Sequence, residues 1–213
     1  MNGFFSLDSK FMQALSRIAD LMILNVVYLL TCLPIVTIGA ANSALYTVCF
    51  RLGTKREGHT LRDYFRAFRD NFRQGTVLWL FLLLFGAASC VNAMMFYSLS
   101  GPMHYLFVLF AFVLVIVLML YGYTFPLQSQ FQNSCKATLK NAMILSVGYL
   151  PRTIVIVAFN VFPAVLLLVN LYVFLQAGVV WLAIYFSAAA YLNTSVLRKV
   201  FAPYLGESEE EAQ

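Results

Sequence analysis

Three stretches of the chain carry no charged side chain: Leu21 to Phe50, Gln74 to Cys135 and Thr153 to Leu197, which are 30, 62 and 45 residues long. One helical span of a bilayer needs about 20 apolar residues. The three runs therefore predict several spans joined by short loops. The first element opens as an amphipathic helix, with Phe11, Ala14, Leu15 and Ile18 on one face, and continues apolar to Leu33. Pro34 removes a backbone donor and crowds the preceding turn, and Gly39 is a second weak point. The apolar pattern then resumes from Ala40 to Arg51. As one straight helix, residues 11–52 would extend about 63 Å, twice the hydrocarbon thickness. A helix, a bend at Leu33–Gly39 and a shorter returning helix is the expected arrangement.

Residues 51–75 change the pattern. Leu61, Tyr64, Phe65, Phe68 and Phe72 follow helical spacing, and Arg62, Arg66, Arg69 and Arg73 share another face. This predicts an amphipathic helix lying in the headgroup layer or docking a partner. Residues 76–97 then form a span, Gly101–Pro102 a turn, and 104–126 a returning span that ends at Pro126. TLKNAMILSVGYLPRT has the spacing of a second surface helix, stopped by Pro151. The last apolar run divides near Leu175–Gly178, with Pro163 bending its first half, and an acidic tail closes the chain. Asp20, three residues after Arg17, is positioned to pair with it near the interface.

Composition supports a membrane rather than an oily soluble core: 62% of the 213 residues are hydrophobic and 11% are charged, against about 45–50% and about 25% in soluble domains. The net charge of +5 is confined to Lys10 and Arg17, the 51–75 segment, Lys136 to Arg152, and Arg198–Lys199. Positive charge between apolar spans sets orientation, so nucleic acid is not expected as a partner. The lipid bilayer and its anionic headgroups are. The positive-inside rule places these segments, and both termini, in the cytoplasm of a plasma-membrane protein. If the first element returns there are six spans; if it crosses once there are five, with the N-terminus outside. The basic N-terminal residues favour six. The N-terminus lacks the order of a cleaved signal peptide. The expected fold is all-α, a single polytopic transmembrane bundle over 1–213. Its first two spans are short and joined by the Pro/Gly bend. Segments 53–75 and 127–152 are cytoplasmic, and 205–213 is an acidic tail.

Candidate chemistry is sparse. Cys32, Cys49, Cys90 and Cys135 are scattered, His59 and His104 are far apart, and no nucleotide, nucleophile-elbow or zinc-protease motif occurs. No enzyme activity, cofactor or metal is expected. The spans lack acidic and basic residues of the kind that relay protons in pumps. What remains is polar but uncharged. Asn25, Thr31, Pro34, Thr37, Gly39 and Asn42 form a candidate bend site; a broken helix there exposes backbone groups that suit a neutral, sugar-like solute. The same residues also fit a close-packed hairpin. Asn92, Asn160, Asn170 and Asn193 read as cross-helix hydrogen-bonding amides or as the lining of a shared cavity. Arg62, Arg66, Arg69 and Arg73 are the candidate membrane-surface or partner face.

LLTCLPIVTIGAANSALY, DYFRAFRDNFRQG and LKNAMILSVGYLPRT occur in that order along the chain. In these motifs it resembles the YesL-like family of bacterial integral membrane proteins, found mainly in Firmicutes. The resemblance implies no defined activity. It implies an association, since such proteins are often encoded beside sugar-uptake transporters and polysaccharide-degrading enzymes. KATLKNAMILSVGYLPRT also resembles the cytoplasmic helix by which transporter permeases engage their ATPase, though without the Glu-Ala-Ala start and the fixed Gly of that segment. The expected role is an accessory or regulatory component of carbohydrate uptake, with a sugar-uptake transporter as partner. A small transporter for a neutral, sugar-like solute is the alternative.

Overall fold

The computed structural model describes residues 4–52 and 60–210, with side chains described from Met12 to Tyr204 apart from Gln13. Residues 53–59 of the expected basic segment and 211–213 of the acidic tail lie outside the described residues. All regular structure among the described residues is helical. Helix α1 (Phe4–Cys32) is followed by a 3₁₀ turn (Ile35–Thr37) and α2 (Ile38–Leu52). Then come α3 (Thr60–Tyr97), α4 (Leu106–Gln130), α5 (Cys135–Gly148), α6 (Leu150–Val169) and the short α7 (Leu171–Gln176). One turn, α8 (Gly178–Val180), leads through five π-helical residues, Trp181–Tyr185, into α9 (Phe186–Glu210). Among the described residues six helices are long and apolar enough to cross a membrane, so the chain has the build of a multi-pass membrane protein.

The bend falls where Pro34 predicts it. Pro34 has extended geometry (φ −76°, ψ 117°) and separates α1 from the 3₁₀ turn. Gly39 lies beyond the bend, inside α2, where α2 runs antiparallel to α3. A Cβ on Gly39 would sit 2.1 Å from the Gly75 carbonyl oxygen, so the two backbones touch. At the other end of the contact Arg51 pairs with Asp63 at 3.1 Å. Helix α2 therefore lies along the Arg-bearing half of α3.

Several sequence expectations are corrected. The expected amphipathic stretch is not a separate surface helix. Its residues 60–75 are the first half of α3, which continues unbroken for 38 residues, about 57 Å. Pro126 does not end α4, which runs four residues further to Gln130. A proline inside a membrane helix is tolerated where neighbours and local polar groups re-satisfy the backbone. Pro151 does not stop α5; it sits in the first turn of α6, where its missing N–H has no helical partner to lose. The last apolar run breaks at Asn170, earlier than expected, as well as at Ala177. Pro163 lies buried within α6. Residues 205–210 of the acidic tail continue α9 as helix. Asp20 is not paired with Arg17; it accepts a hydrogen bond from Thr60 at 3.4 Å. Gly101, with φ +91°, makes the α3–α4 turn in a conformation that favours glycine.

The basic segments converge on one end of the bundle. Phe201 packs against Phe50 and Phe131, with ring centroids 6.1 and 5.7 Å away. Arg198 donates to the Phe50 carbonyl near the end of α2, a favourable place for a cation against the helix dipole. Arg152 reaches the Lys199 carbonyl at 3.3 Å and covers the Tyr149 ring. The opposite end carries the uncharged turns at 98–101 and 177. Between the ends, Leu24, Tyr64, Leu78, Tyr123, Phe125 and Leu197 are almost fully buried. In lipid such contacts hold helices by packing rather than by a hydrophobic driving force.

Candidate functional site

The predicted bend residues are hydrogen-bonded within the protein. Thr37 Oγ1 lies 2.6 Å from the Thr31 carbonyl and 2.7 Å from the Pro34 carbonyl. Trp79 donates its indole N–H to Ile35 O at 2.7 Å. Three carbonyls around the bend, those of Thr31, Pro34 and Ile35, are thus taken up by Thr37 and Trp79. Thr31 Oγ1 meets the Tyr64 hydroxyl at 2.6 Å. Asn42 is 5% exposed and uses both ends of its amide. It donates to Ile38 O (2.9 Å) and to the Tyr121 hydroxyl (3.3 Å), and accepts from Tyr28. Gly39 contributes its lack of a side chain. The bend is a stitched turn that ties α1, α2, α3 and α4 together.

Asn25, although also in α1, is placed elsewhere, against the π-helical turn of the last transmembrane element. A π turn leaves backbone groups out of the regular ladder. Asn25 Nδ2 donates to the carbonyls of Trp181 (3.0 Å) and Leu182 (2.9 Å), and Oδ1 accepts from the Ser187 N–H (3.1 Å). Ser187 Oγ in turn lies 2.7 Å from Leu21 O. Asn25→Leu is expected to leave these groups unpaired and to lower stability by about 1–3 kcal/mol. Hydrogen exchange at the Ser187 amide should accelerate; unchanged exchange there would refute the role.

The other amides do not share one cavity. Asn92 bonds back to Ala88 O (2.7 Å), Asn170 caps α7 through Val173 N–H (3.1 Å), and Asn193 donates across helices to Tyr46 (3.3 Å). Asn160 faces a small internal space beside Tyr121 and Tyr185. The four candidate arginines, Arg62, Arg66, Arg69 and Arg73, are all exposed, opposite the buried Tyr64 and Ala67. Helical spacing carries their stripe straight on into the exposed Leu80, Leu84 and Val91. Arg66 contacts Asp70 at 4.0 Å.

One polar concavity is not singled out by the sequence. It has a volume of about 610 Å³ and lies at the basic end, between α2, the first half of α3 and the end of α4. Six amide side chains line it: Asn71, Gln74, Gln128, Gln130, Gln132 and Asn133. Arg51, Asp63, Arg66 and Asp70 complete the rim. Two cations and two anions leave the lining formally neutral. Gln74 Nε2 donates to Asn133 O at 2.6 Å, fixing the α4–α5 linker against α3. Ser43 donates to Gln128 at 2.8 Å and closes the inner wall. Amides offer donors and acceptors side by side, so this lining suits a neutral, hydroxyl-rich molecule. The signal in the sequence was the amide run in LQSQFQN; its partners on α2 and α3 are distant in sequence.

Among the described residues, no three or more His, Cys, Asp or Glu side chains come together as a metal site would require. No curated protein and no solved structure matches the chain. Residues 21–93 match the model of a family described as a protein of unknown function, DUF624. That stretch takes in the last 12 residues of α1, the bend, α2 and nearly all of α3, including two walls of the polar cavity.

Proposed function

We propose that this is a non-enzymatic, multi-pass component of the plasma membrane that serves a carbohydrate-uptake system as an accessory or regulatory subunit. The observation that carries the reading is the neutral, amide-lined cavity of about 610 Å³ at the basic end of the bundle. The resemblance to the YesL-like family supports the association with sugar uptake. The positive-inside rule supports a cytoplasmic cavity and cytoplasmic termini. On this orientation Arg73 and Arg69 meet the anionic headgroups and Arg66 and Arg62 stand progressively farther out. Each basic residue near such a surface contributes about 1 kcal/mol. Helix α5 exposes Met143, Ile144 and Val147 and is the surface offered to a transporter partner.

The α1–α2 pair enters the bilayer from the cytoplasmic side and returns within it. Its bend is held by Trp79, 18 residues before the end of α3 at Tyr97. That is about 27 Å short of the far end of α3.

Thr47 lines the cavity, and Thr47→Trp would fill it. Neutral mono- and oligosaccharides are expected to raise the thermal stability of the purified wild-type protein in mild detergent. With 100 Kd of free ligand the gain is about 2.7 kcal/mol. Thr47→Trp should lose that gain and still fold. Failure of every saccharide to stabilise the wild type, with no transporter copurifying, would sink the proposal. The alternative, a small transporter, draws on the smaller polar space of about 70 Å³ beyond the Ser43–Gln128 pair. Saccharide uptake by liposomes containing this chain alone would favour it.

A further inference from the structure

An apolar groove of about 400 Å³ opens on the lipid-facing side between α3, α4 and α6. Leu82, Leu83 and Leu118 line its flanks, and Gly86, Ala87 and Ala164 leave it deep. At one end the lining turns polar, at Tyr121 and Asn160. The same two residues also line the internal space of about 70 Å³, beside Tyr28, Asn42, Tyr46 and Tyr185. Asn160 Nδ2 is buried there beside the Tyr46 hydroxyl and makes no hydrogen bond of good geometry. An unsatisfied buried amide costs about 1–3 kcal/mol. None of the residues lining the groove or the internal space is charged.

From these observations we propose that the groove binds a neutral glycerolipid of the diacylglycerol type. One acyl chain lies between α3, α4 and α6, and an ester carbonyl accepts from Asn160 Nδ2. Three features select this ligand. The groove follows α3 from Trp79 to Cys90, about 16 Å of helix, which suits an extended chain. The unmet group at its end is a donor, so the ligand must bring an acceptor oxygen. The uncharged lining offers no counter-ion to a phosphate, so a lipid without a charged headgroup is favoured. The polar end of the groove is also the end nearer the basic side of the bundle. A lipid of the cytoplasmic leaflet therefore has its carbonyls toward Asn160 and its chain toward the bilayer centre. This choice of leaflet rests on the orientation proposed above; the binding does not.

The test uses the full-length protein in nanodiscs with two photoactivatable probes of identical chain length, a diacylglycerol and the dialkylglycerol that lacks its ester carbonyls. Cross-links are mapped by mass spectrometry at Cys90 and Val161 in the groove and at Leu84 on the outer face. In the wild type the diacylglycerol should label the groove about threefold more than the dialkylglycerol, roughly what one membrane hydrogen bond confers. The two probes should label Leu84 alike. Asn160→Leu should bring the two probes level in the groove. Ala164→Phe should reduce groove labelling by both and leave Leu84 unchanged. Thermal unfolding of each variant verifies folding, and the probe comparison in the wild type stands without either. Equal groove labelling by the two probes in the wild type would overturn the proposal. So would a folded Asn160→Leu protein that keeps the difference.

Discussion

Gly39→Leu is expected to prevent assembly of the bundle, and Gly39→Ala to cost about 3 kcal/mol or more, at or above the upper end of ordinary overpacking. The reason is that the obstruction is backbone. A Cβ at Gly39 would lie 2.1 Å from the Gly75 carbonyl oxygen, 2.8 Å from its carbonyl carbon and 2.6 Å from Trp79 Cβ. The reverse is also true: a Cβ at Gly75 would lie 2.9 Å from Ala40 N. No rotamer change relieves either contact, so α2 and α3 must separate. Separation strains the Trp79–Ile35 bond that holds the bend and the Arg51–Asp63 pair at the far end. Thermal unfolding and the monodisperse fraction in mild detergent measure the effect. Gly148→Ala is the control, because nothing lies within 4 Å of a Cβ there. Wild-type stability of Gly39→Ala would mean that the two backbones do not touch.

What the sequence reveals of this fold is what local chemistry dictates. Pro34 marks a bend because its effect on its own helix is independent of tertiary context, and the bend is where it should be. Pro126 and Pro151 mislead for the complementary reason. Whether a proline ends, begins or merely interrupts a helix depends on what re-satisfies the neighbouring backbone, and a neighbour-by-neighbour reading does not see that. The continuity of α3 is legible in retrospect. Arg73, Leu80, Leu84 and Val91 fall on one helical stripe across the change from charged to apolar. A break at Gly75 would have shifted that phase. Gly75 is instead small because α2 crosses it.

The polar sites divide in the same way. Asn25, Thr31, Thr37 and Asn42 stand out as polar residues in an apolar run, and the structure uses each of them. Yet Asn25, Thr31 and Asn42 find partners, Ser187, Trp181, Tyr64 and Tyr121, in elements far along the chain. Residue type alone therefore leaves packing and binding undecided. Of the cavity only the amide run LQSQFQN was legible, because Thr47, Asn71 and Gln128 meet only when three helices are assembled.

A cysteine introduced at Leu33, in a background without the native cysteines, is expected to resist a membrane-impermeant maleimide added from outside. Ser100→Cys and Ala177→Cys should react. Ser100 is the better reporter of its turn, since a side chain at Gly101 would be strained by the positive φ. Leu33 is 76% exposed, so its silence would reflect lipid rather than burial in protein. The expectation follows from which part of α3 lies beside α2. Gly39 touches Gly75 and Arg51 pairs with Asp63, so α2 runs beside residues 63–75 of α3. If α2 crossed the whole hydrocarbon layer, that half of α3 would cross it too. Its exposed Arg66, Arg69 and Arg73 would then face acyl chains. At the centre of a bilayer each arginine costs at least about 2.5–3.5 kcal/mol, more than the apolar residues of α2 regain. The layer is therefore better placed along residues 76–97 of α3, and the bend beside Trp79 stops well short of the outer surface. Labelling of Leu33→Cys from outside as fast as Ser100→Cys would instead establish two complete crossings by α1 and α2. The arginine face of α3 would then have to be shielded by a partner.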